Sequence, residues 1–489
     1  MQPEDIALDG GQGAAGATGY GVVMNVAPLF DAALVARYDR PGPRYTSYPT
    51  APQFTEAWSE RDFRRFAAQS NAQSPPRPIS VYVHVPWCFS PCFYCGCNRL
   101  ITRDPAKGER YVERLLAEID LALPLFAADR EVTQLHFGGG TPNFLAPSQL
   151  AAVIERVGRH LRLAGGPAAD FSIELDPRHV RPGDVADLAG AGFNRASLGV
   201  QDFDEGVQRA INRIQSVAGT AAVIDECRRA GFRSVNVDLI YGLPLQTPES
   251  FARTLDTVVR LRPDRLAVYG YAHLPGLFKA QRQIRAEDLP DAATRLALLG
   301  LAVERLTAAG YEYIGLDHFA LPGDDLARAA AEGTLQRNFM GYTTHARSDL
   351  VGVGVSAISH VGASYSQNRR DLAGWEIAVE QGRLPAWRGL ALGADDRLRA
   401  EVIEVLMCRA GIDVRDIERR HAIDFGAYFA DSLARLAPLA DDGLVTVDRE
   451  HIRATPRGRY LLRAIAMCFD AYLPAATTAN DRPRYSQAV

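Results

Sequence analysis

The chain has 489 residues, 47% of them apolar and 23% charged, with a formal net charge of −4. That length exceeds what one core holds and predicts two or three domains with the composition of an ordinary soluble globular protein. The acidic balance argues against a general nucleic-acid binder, which carries a basic excess, and without about 18 consecutive apolar residues no membrane partner is expected.

Residues 1–29 are rich in Gly and Ala without periodicity, which predicts a disordered tail in which Met24 could be the true start. Glu4, Asp5 and Asp9 replace the basic start of a secretory signal, so a cytoplasmic location is expected. In that reducing compartment clustered cysteines point to metal binding or catalysis rather than disulfides. Residues 30–77 form an N-terminal lid-like segment. Its run Arg40-Pro-Gly-Pro-Arg-Tyr-Thr-Ser-Tyr-Pro49 forbids a helix. Two Arg and two Tyr there could cover a site, or the run could be a plain linker.

From 78 to 300, short β-branched segments alternate with helical ones, the mark of a parallel sheet. The predicted strands are Ile79–Val85, Val132–Gly138, Phe171–Leu175, Asn194–Val200, Ser234–Tyr241 and Arg265–Gly270. Successive side chains point to opposite faces. Val81, Val83 and Val85 therefore share one face, and Tyr82 with His84 the other. Gln134 with His136, Ser172 with Glu174, Ser197 with Gln201, and Asn236 with Asp238 repeat this polar face. A closed eight-stranded barrel fills its interior with branched apolar side chains. A polar interior instead fits an α/β fold with an incomplete (β/α)6 barrel around a ligand cavity. Residues 301–394 read as an extension and connector, including Gly352-Val-Gly-Val-Ser-Ala-Ile358, and 395–489 as a smaller, mainly helical C-terminal domain with a hairpin, Leu444–Val447 against His451–Ala454.

Four of the seven cysteines lie in Cys88-Phe-Ser-Pro-Cys92-Phe-Tyr-Cys95-Gly-Cys97, directly after the first strand. Barrel chemistry sits at that end of the strands. Cys227, Cys408 and Cys468 read as small buried side chains. Structural zinc prefers two Cys-x2-Cys pairs or His partners; Cys97 lies only two residues from Cys95, so both are hard to place on one tetrahedral ion, and no second pair exists; a redox disulfide is the other alternative. A complete protein-held [4Fe–4S] cluster takes four thiolates, so three leave one iron open to a small molecule. Trp87, Phe89, Phe93 and Tyr94 would shield such a cluster from water. Gly138-Gly-Gly-Thr-Pro142 ends the second strand and predicts bare amides facing a ligand. Glu174 could accept hydrogen bonds from ribose hydroxyls. Gln201, Asp238 and Arg213, the last placed on the helix after strand four, surround the same cavity.

Cys-x3-Cys-x2-Cys in this context resembles the radical S-adenosylmethionine superfamily. Over residues 30–489 the chain further resembles the oxygen-independent coproporphyrinogen III oxidase family. The resemblance rests on Tyr38-Asp-Arg-Pro-Gly-Pro-Arg-Tyr-Thr-Ser-Tyr-Pro-Thr50, Cys95-Gly-Cys-Asn98, Gly199-Val-Gln-Asp-Phe203, His273-Leu-Pro-Gly276, Asp317-His-Phe-Ala320, Arg337-Asn-Phe339 and Cys468-Phe-Asp-Ala-Tyr-Leu473. It implies one [4Fe–4S] cluster on Cys88, Cys92 and Cys95, whose open iron binds S-adenosylmethionine (SAM) and whose electron yields a 5′-deoxyadenosyl radical. It also implies two SAM molecules. The first would touch Tyr82, Gly139, Glu174 and Ile358. The second would touch Tyr94, Gly140, Thr141, Gln201, Arg213, Asp238 and Ala272. Tyr82 and Cys97 are the candidate catalytic residues, Cys97 not being a cluster ligand.

The implied reaction converts two propionates of coproporphyrinogen III to vinyls, giving protoporphyrinogen IX. Arg40 and Arg44 are candidate partners for the substrate's carboxylates. An electron donor such as flavodoxin or ferredoxin, an unidentified electron acceptor and a monomeric state complete the expectation. The rival reading is a heme-binding chaperone of the same superfamily, which usually lacks the N-terminal segment and the Cys-x-Cys ending. A purely structural iron–sulfur protein would leave the polar interior without a purpose.

Overall fold

A computed structural model of the chain describes residues 30–345 and 347–473. The predicted tail at 1–29, with Met24, lies outside them, as do residues 474–489 of the predicted C-terminal domain.

The six predicted segments form parallel strands β1 (Ile79–Val85), β2 (Glu131–Gly139), β3 (Asp170–Leu175), β4 (Arg195–Gln201), β5 (Ser234–Tyr241) and β6 (Arg265–Gly270). They lie side by side in chain order, as a winding that always turns the same way requires. β4 begins one residue later than expected, because Asn194 is spent on the turn: its side chain accepts from Phe171 N at 3.1 Å and donates to Ala169 O at 3.0 Å. Helices Pro105–Ala122, Pro147–His160, Asp184–Gly190, Val217–Arg229 and Pro248–Leu261 connect the strands. The last shows why they form. Thr247 and Ser250 make a reciprocal capping box, Pro248 occupies the first turn, and Phe251, Leu255 and Val258 recur on one buried stripe. Truncating Leu255 to Ala would cost roughly 2–5 kcal/mol.

Strand parity holds as read. Val81, Val83, Val85, Leu135 and Phe137 are fully buried in the cluster that includes Leu115 and Ile119 of the first helix. On the other face, Tyr82 stacks on His136 with ring centroids 5.9 Å apart, and His136 Nδ1 lies 2.8 Å from Ser172 Oγ. Further round, Asn236 donates to Ser197 Oγ at 2.9 Å and to Asp238 Oδ1 at 2.8 Å.

The sheet extends past six strands at both edges. β7 (Glu312–Gly315) and β8 (His318–Ala320) add beyond β6, with β8 antiparallel to it. On the other side β9 (Asp349–Val353) pairs parallel with β1, followed by antiparallel β10 (Ile358–His360), β11 (Ser364–Asn368) and β12 (Ala386–Ala391). The stretch read as connector is thus partly a central strand. Its glycines hid the signal: Gly352 faces the Ile358 backbone so closely that a Cβ would lie 2.5 Å from Ile358 O.

At the C-terminal end, the expected hairpin gains a third strand. β13 (Gly411–Asp413) pairs with β15 (His451–Ala454), which pairs with β14 (Val445–Val447). The Arg40–Thr50 run is extended and packed rather than a free linker. Tyr45 donates to Asp470 Oδ2 at 2.9 Å, Ala471 N donates to Tyr48 Oη at 2.9 Å, and Arg463 donates to Pro43 O at 3.1 Å and to Gly42 O. Cys227, Cys408 and Cys468 are buried. Among the described residues no helix is long and apolar enough to cross a membrane.

Candidate active site

The chain leaves β1 at Val85, and Trp87–Cys88 pairs briefly with Leu100–Ile101, closing a loop over the strand ends. This loop walls a cavity of approximately 290 Å3 with Cys88, Cys92, Cys95 and Cys97. The facing wall holds Gly139, Gly140 and Thr141 from the end of β2, Glu174 from β3, Gln201 from β4, Asp238 from β5 and Arg213. Tyr94 reaches the same cavity and packs with Val207, Ile211 and Tyr271 behind it.

The sulfurs meet hydrogen-bond donors. Thr141 Oγ1 donates to Cys88 Sγ at 3.3 Å, and Arg213 Nη1 and Arg178 Nη2 approach Cys92 Sγ at 3.5 and 3.8 Å. The hydrogen bond from Cys97, with the nearby cations Arg99 and Arg213, holds the Cys95 thiol at about 6, while burial pushes Cys88 up to about 11. Among the described residues no three Cys, His, Asp or Glu side chains converge on a single ion. Three thiols spread over one cavity wall, supplied with cationic donors and backed by Trp87 and the Phe89–Phe144 pair at 4.8 Å, fit a polynuclear cluster instead.

The glycine run does not present bare amides. Gly139 N donates to Glu174 Oε2 at 3.1 Å, Gly140 N to Val85 O at 2.8 Å and Thr141 N to Trp87 O at 2.8 Å. The glycines serve close packing: a Cβ on Gly139, at φ +117°, would sit 2.5 Å from His84, and one on Gly140 would sit 2.7 Å from Pro86 O. The same backbone lines the cavity, with its amides already bonded within the protein.

Burial would raise the Glu174 carboxyl, but hydrogen bonds from His136 and from the Gly139 amide hold it below its ordinary range. Asp238 goes the other way. Burial first, then the charge of Glu174, push it up to about 7. Gln201 closes β4 at φ +71°, beside a register shift in the β4–β5 pairing, a bulge that re-aims its side chain. Arg213 does not lie on a helix as expected. The helix Glu205–Ala210 has ended, and Arg213 follows in the turn, where its amide donates to Gln208 O at 2.9 Å. Its guanidinium then donates to Gly199 O at 2.5 Å.

Three expected residues lie outside the cavity wall. Tyr82 is deeper in the barrel, bonded to His84 Nδ1 at 3.0 Å and paired with Gly352 of β9. Ile358 lies against that same Gly352. The Ala272 carbonyl accepts from Gln281 Nε2 at 3.1 Å, and the same amide donates to Tyr94 O at 2.8 Å, tying the two loops together.

Asp176 and Arg178 line the cavity unpredicted. Asp176 pairs with Arg178 at 2.6 Å and with Arg213 at 3.2 Å. Burial opposes its charge, but these two arginines hold its carboxyl at about 2. The alternation Ser172, Glu174, Asp176 carried the signal, since the residue after the strand keeps its parity. Tyr269 of β6 was also missed as a lining residue.

Comparison with known proteins agrees with this geometry. The Radical SAM superfamily matches residues 82–258, and the HemN C-terminal domain matches residues 392–461. The chain is 47% identical over 460 residues to the oxygen-independent coproporphyrinogen III oxidase of Pseudomonas aeruginosa, covering 94% of this chain and 99% of that one. It is 47% identical over 444 residues to the same-named protein of Escherichia coli, covering 91% and 96%. The solved structure of coproporphyrinogen III oxidase (HemN) from Escherichia coli, described as a radical SAM enzyme, superposes with a TM-score of 0.86 at 46% identity, covering 92% of this chain and 100% of that one. The cysteine loop, the polar barrel and this near end-to-end likeness together establish that the chain belongs to the oxygen-independent coproporphyrinogen III oxidase family of radical SAM enzymes.

Proposed function

We propose that this protein decarboxylates two propionate side chains of coproporphyrinogen III to vinyls without oxygen, giving protoporphyrinogen IX in heme biosynthesis. The observation that carries the reading is the cavity itself: three cysteines of a Cys-x3-Cys-x2-Cys loop face Glu174, Gln201 and Asp238 in a chain that aligns with 99% of a coproporphyrinogen III oxidase.

When bound, the [4Fe–4S] cluster and SAM supply one electron and a 5′-deoxyadenosyl radical that takes a hydrogen atom from the propionate β carbon. The protein's part is to hold, orient and keep dry. Cys88, Cys92 and Cys95 hold the cluster; Thr141 donates a hydrogen bond to the Cys88 sulfur, and Arg178 and Arg213 offset charge at the Cys92 sulfur. Glu174, held ionised by His136 and the Gly139 amide, accepts from the ribose hydroxyls of one SAM, with Tyr82 and Ile358 on its far side. Tyr94, Gly140, Thr141, Gln201, Arg213, Asp238 and Ala272 surround the place of a second SAM. Cys97 stays free of the cluster and acts toward the substrate. The enzyme works as a cytoplasmic monomer, reduced by a flavodoxin or ferredoxin and passing the substrate's electron to a separate acceptor.

The chaperone reading gains no observation of its own. Both features it usually lacks, the N-terminal segment and the Cys-x-Cys ending, are present. The test is an anaerobic assay of the reconstituted protein with coproporphyrinogen III, SAM and a reductant. Vinyl product with 5′-deoxyadenosine is expected; absence of both, or heme transfer without decarboxylation, sinks the assignment.

A further inference from the structure

The extended N-terminal run carries two arginines, and the fold separates them. Arg40 is exposed. Arg44 turns inward: its guanidinium lies 5.3 Å from the ring centroid of Tyr269, a residue of the cavity wall, and its Nη1 donates to Asp317 Oδ2 at 3.0 Å.

Neither partner is free to wander. The run is clasped from behind by Arg463, which donates to the carbonyls of Gly42 and Pro43. Asp317 sits in the turn between β7 and β8, and that turn is pinned by Val268 N donating to Asp317 O at 2.7 Å. A guanidinium has five N–H donors in a rigid fork. Among the described residues Arg44 makes one hydrogen bond, to Asp317. Its side chain remains 35% exposed, while its charge is fixed by the neighbouring Asp317 carboxylate. The fork is thus held at one corner by a carboxylate and across its face by an aromatic ring, with its remaining edge unspent at the margin of the active cavity. That is the arrangement for receiving a second carboxylate in a bidentate bond.

We propose that Arg44 binds a propionate carboxylate of the porphyrinogen and that Asp317 is the positioning residue that holds it in place. This rests on the decarboxylase reading and adds how the substrate is recognised. It assigns the anion-binding role to Arg44 rather than to Arg40, which is exposed.

The test uses the reconstituted full-length enzyme and two fluorescent probes: coproporphyrin III, the stable oxidised form of the substrate, and its tetramethyl ester, which has the same ring without the charges. Arg44→Ala should weaken coproporphyrin III binding about tenfold or more, a charge-assisted bidentate bond being at stake. Arg44→Lys should weaken it less, and both variants should bind the ester as the wild type does. Asp317→Asn should weaken coproporphyrin III severalfold in the wild-type background and add nothing to Arg44→Ala. An equal loss for acid and ester, no loss for Arg44→Ala, or additive losses for the two positions would overturn the proposal while leaving the decarboxylase reading intact. Failure of the wild type to bind coproporphyrin III or to form vinyl product would instead overturn that reading.

Discussion

Arg213 and Asp176, which the sequence places 37 residues apart, meet beside Cys92: Arg213 Nη1 lies 3.2 Å from Asp176 Oδ2 and 3.5 Å from Cys92 Sγ. Asp176 also holds Arg178, so one carboxylate steadies two guanidiniums that would otherwise repel each other at the sulfur. Removing one partner of a buried charge cluster costs roughly 3–5 kcal/mol. Asp176→Asn should therefore lower thermal stability by an amount of that order, read from melting curves. Arg213→Gln removes a cation and a donor from a thiolate, and should shift the cluster's reduction potential to more negative values in a spectroscopic redox titration.

The four cysteines should separate into two classes. Cys88→Ser, Cys92→Ser and Cys95→Ser should each lose most of the bound iron and the visible absorption of the cluster. Cys97→Ser should keep both and lose vinyl formation. Iron content per chain decides it, and a Cys97 variant without iron would make that residue a ligand after all.

Asp238 gives a pH signature. Its carboxyl is pushed up to about 7 in the folded protein, against an ordinary value of about 3.9 in the unfolded chain. Between these values the folded state holds the extra proton, so stability falls as pH rises through that window and stays lower above it. Asp238→Asn removes the effect. Without SAM, the variant's stability relative to the wild type should rise by roughly 2–3 kcal/mol between pH 5 and pH 8. It should also bind SAM more weakly. Equal melting of the two proteins at both pH values would refute the buried-carboxylate account.

Gly140 tests the reassignment of the glycine run. A Cβ there would meet Pro86 O at 2.7 Å and Trp87 O at 2.9 Å, both backbone atoms, so β1 and the cysteine loop must shift. Gly140→Ala should cost about 1–3 kcal/mol and impair cluster retention. Gly165→Ala, with nothing within 4 Å of its Cβ, should stay within about 0.5 kcal/mol of the wild type.

Much of the site was readable because its signals are local. The cysteine spacing, the six β-branched runs and their period of two are all short-range features, and a strand's parity dictates which side chains share a face. This is why Glu174, Gln201 and Asp238 could be placed in one cavity before any fold was known. β9 escaped because a short strand buried on both sides has no alternation to read. Arg213 was put on a helix because nothing within ten residues shows that the helix stops at Ala210, two residues before Asn212 takes a left-handed turn at φ +54°.

The sequence by itself determined the cysteine loop, the parallel strand order and the polar interior, since each follows from residue type and spacing along the chain. The tertiary structure alone decided that the Gly139 and Gly140 amides bond Glu174 and Val85, that Asp176 binds both arginines at Cys92, and that Arg44, unlike the exposed Arg40, lies against Tyr269 of the cavity wall. Those are contacts between segments distant in the chain, set by how the sheet twists and where its loops land, and no local period encodes them.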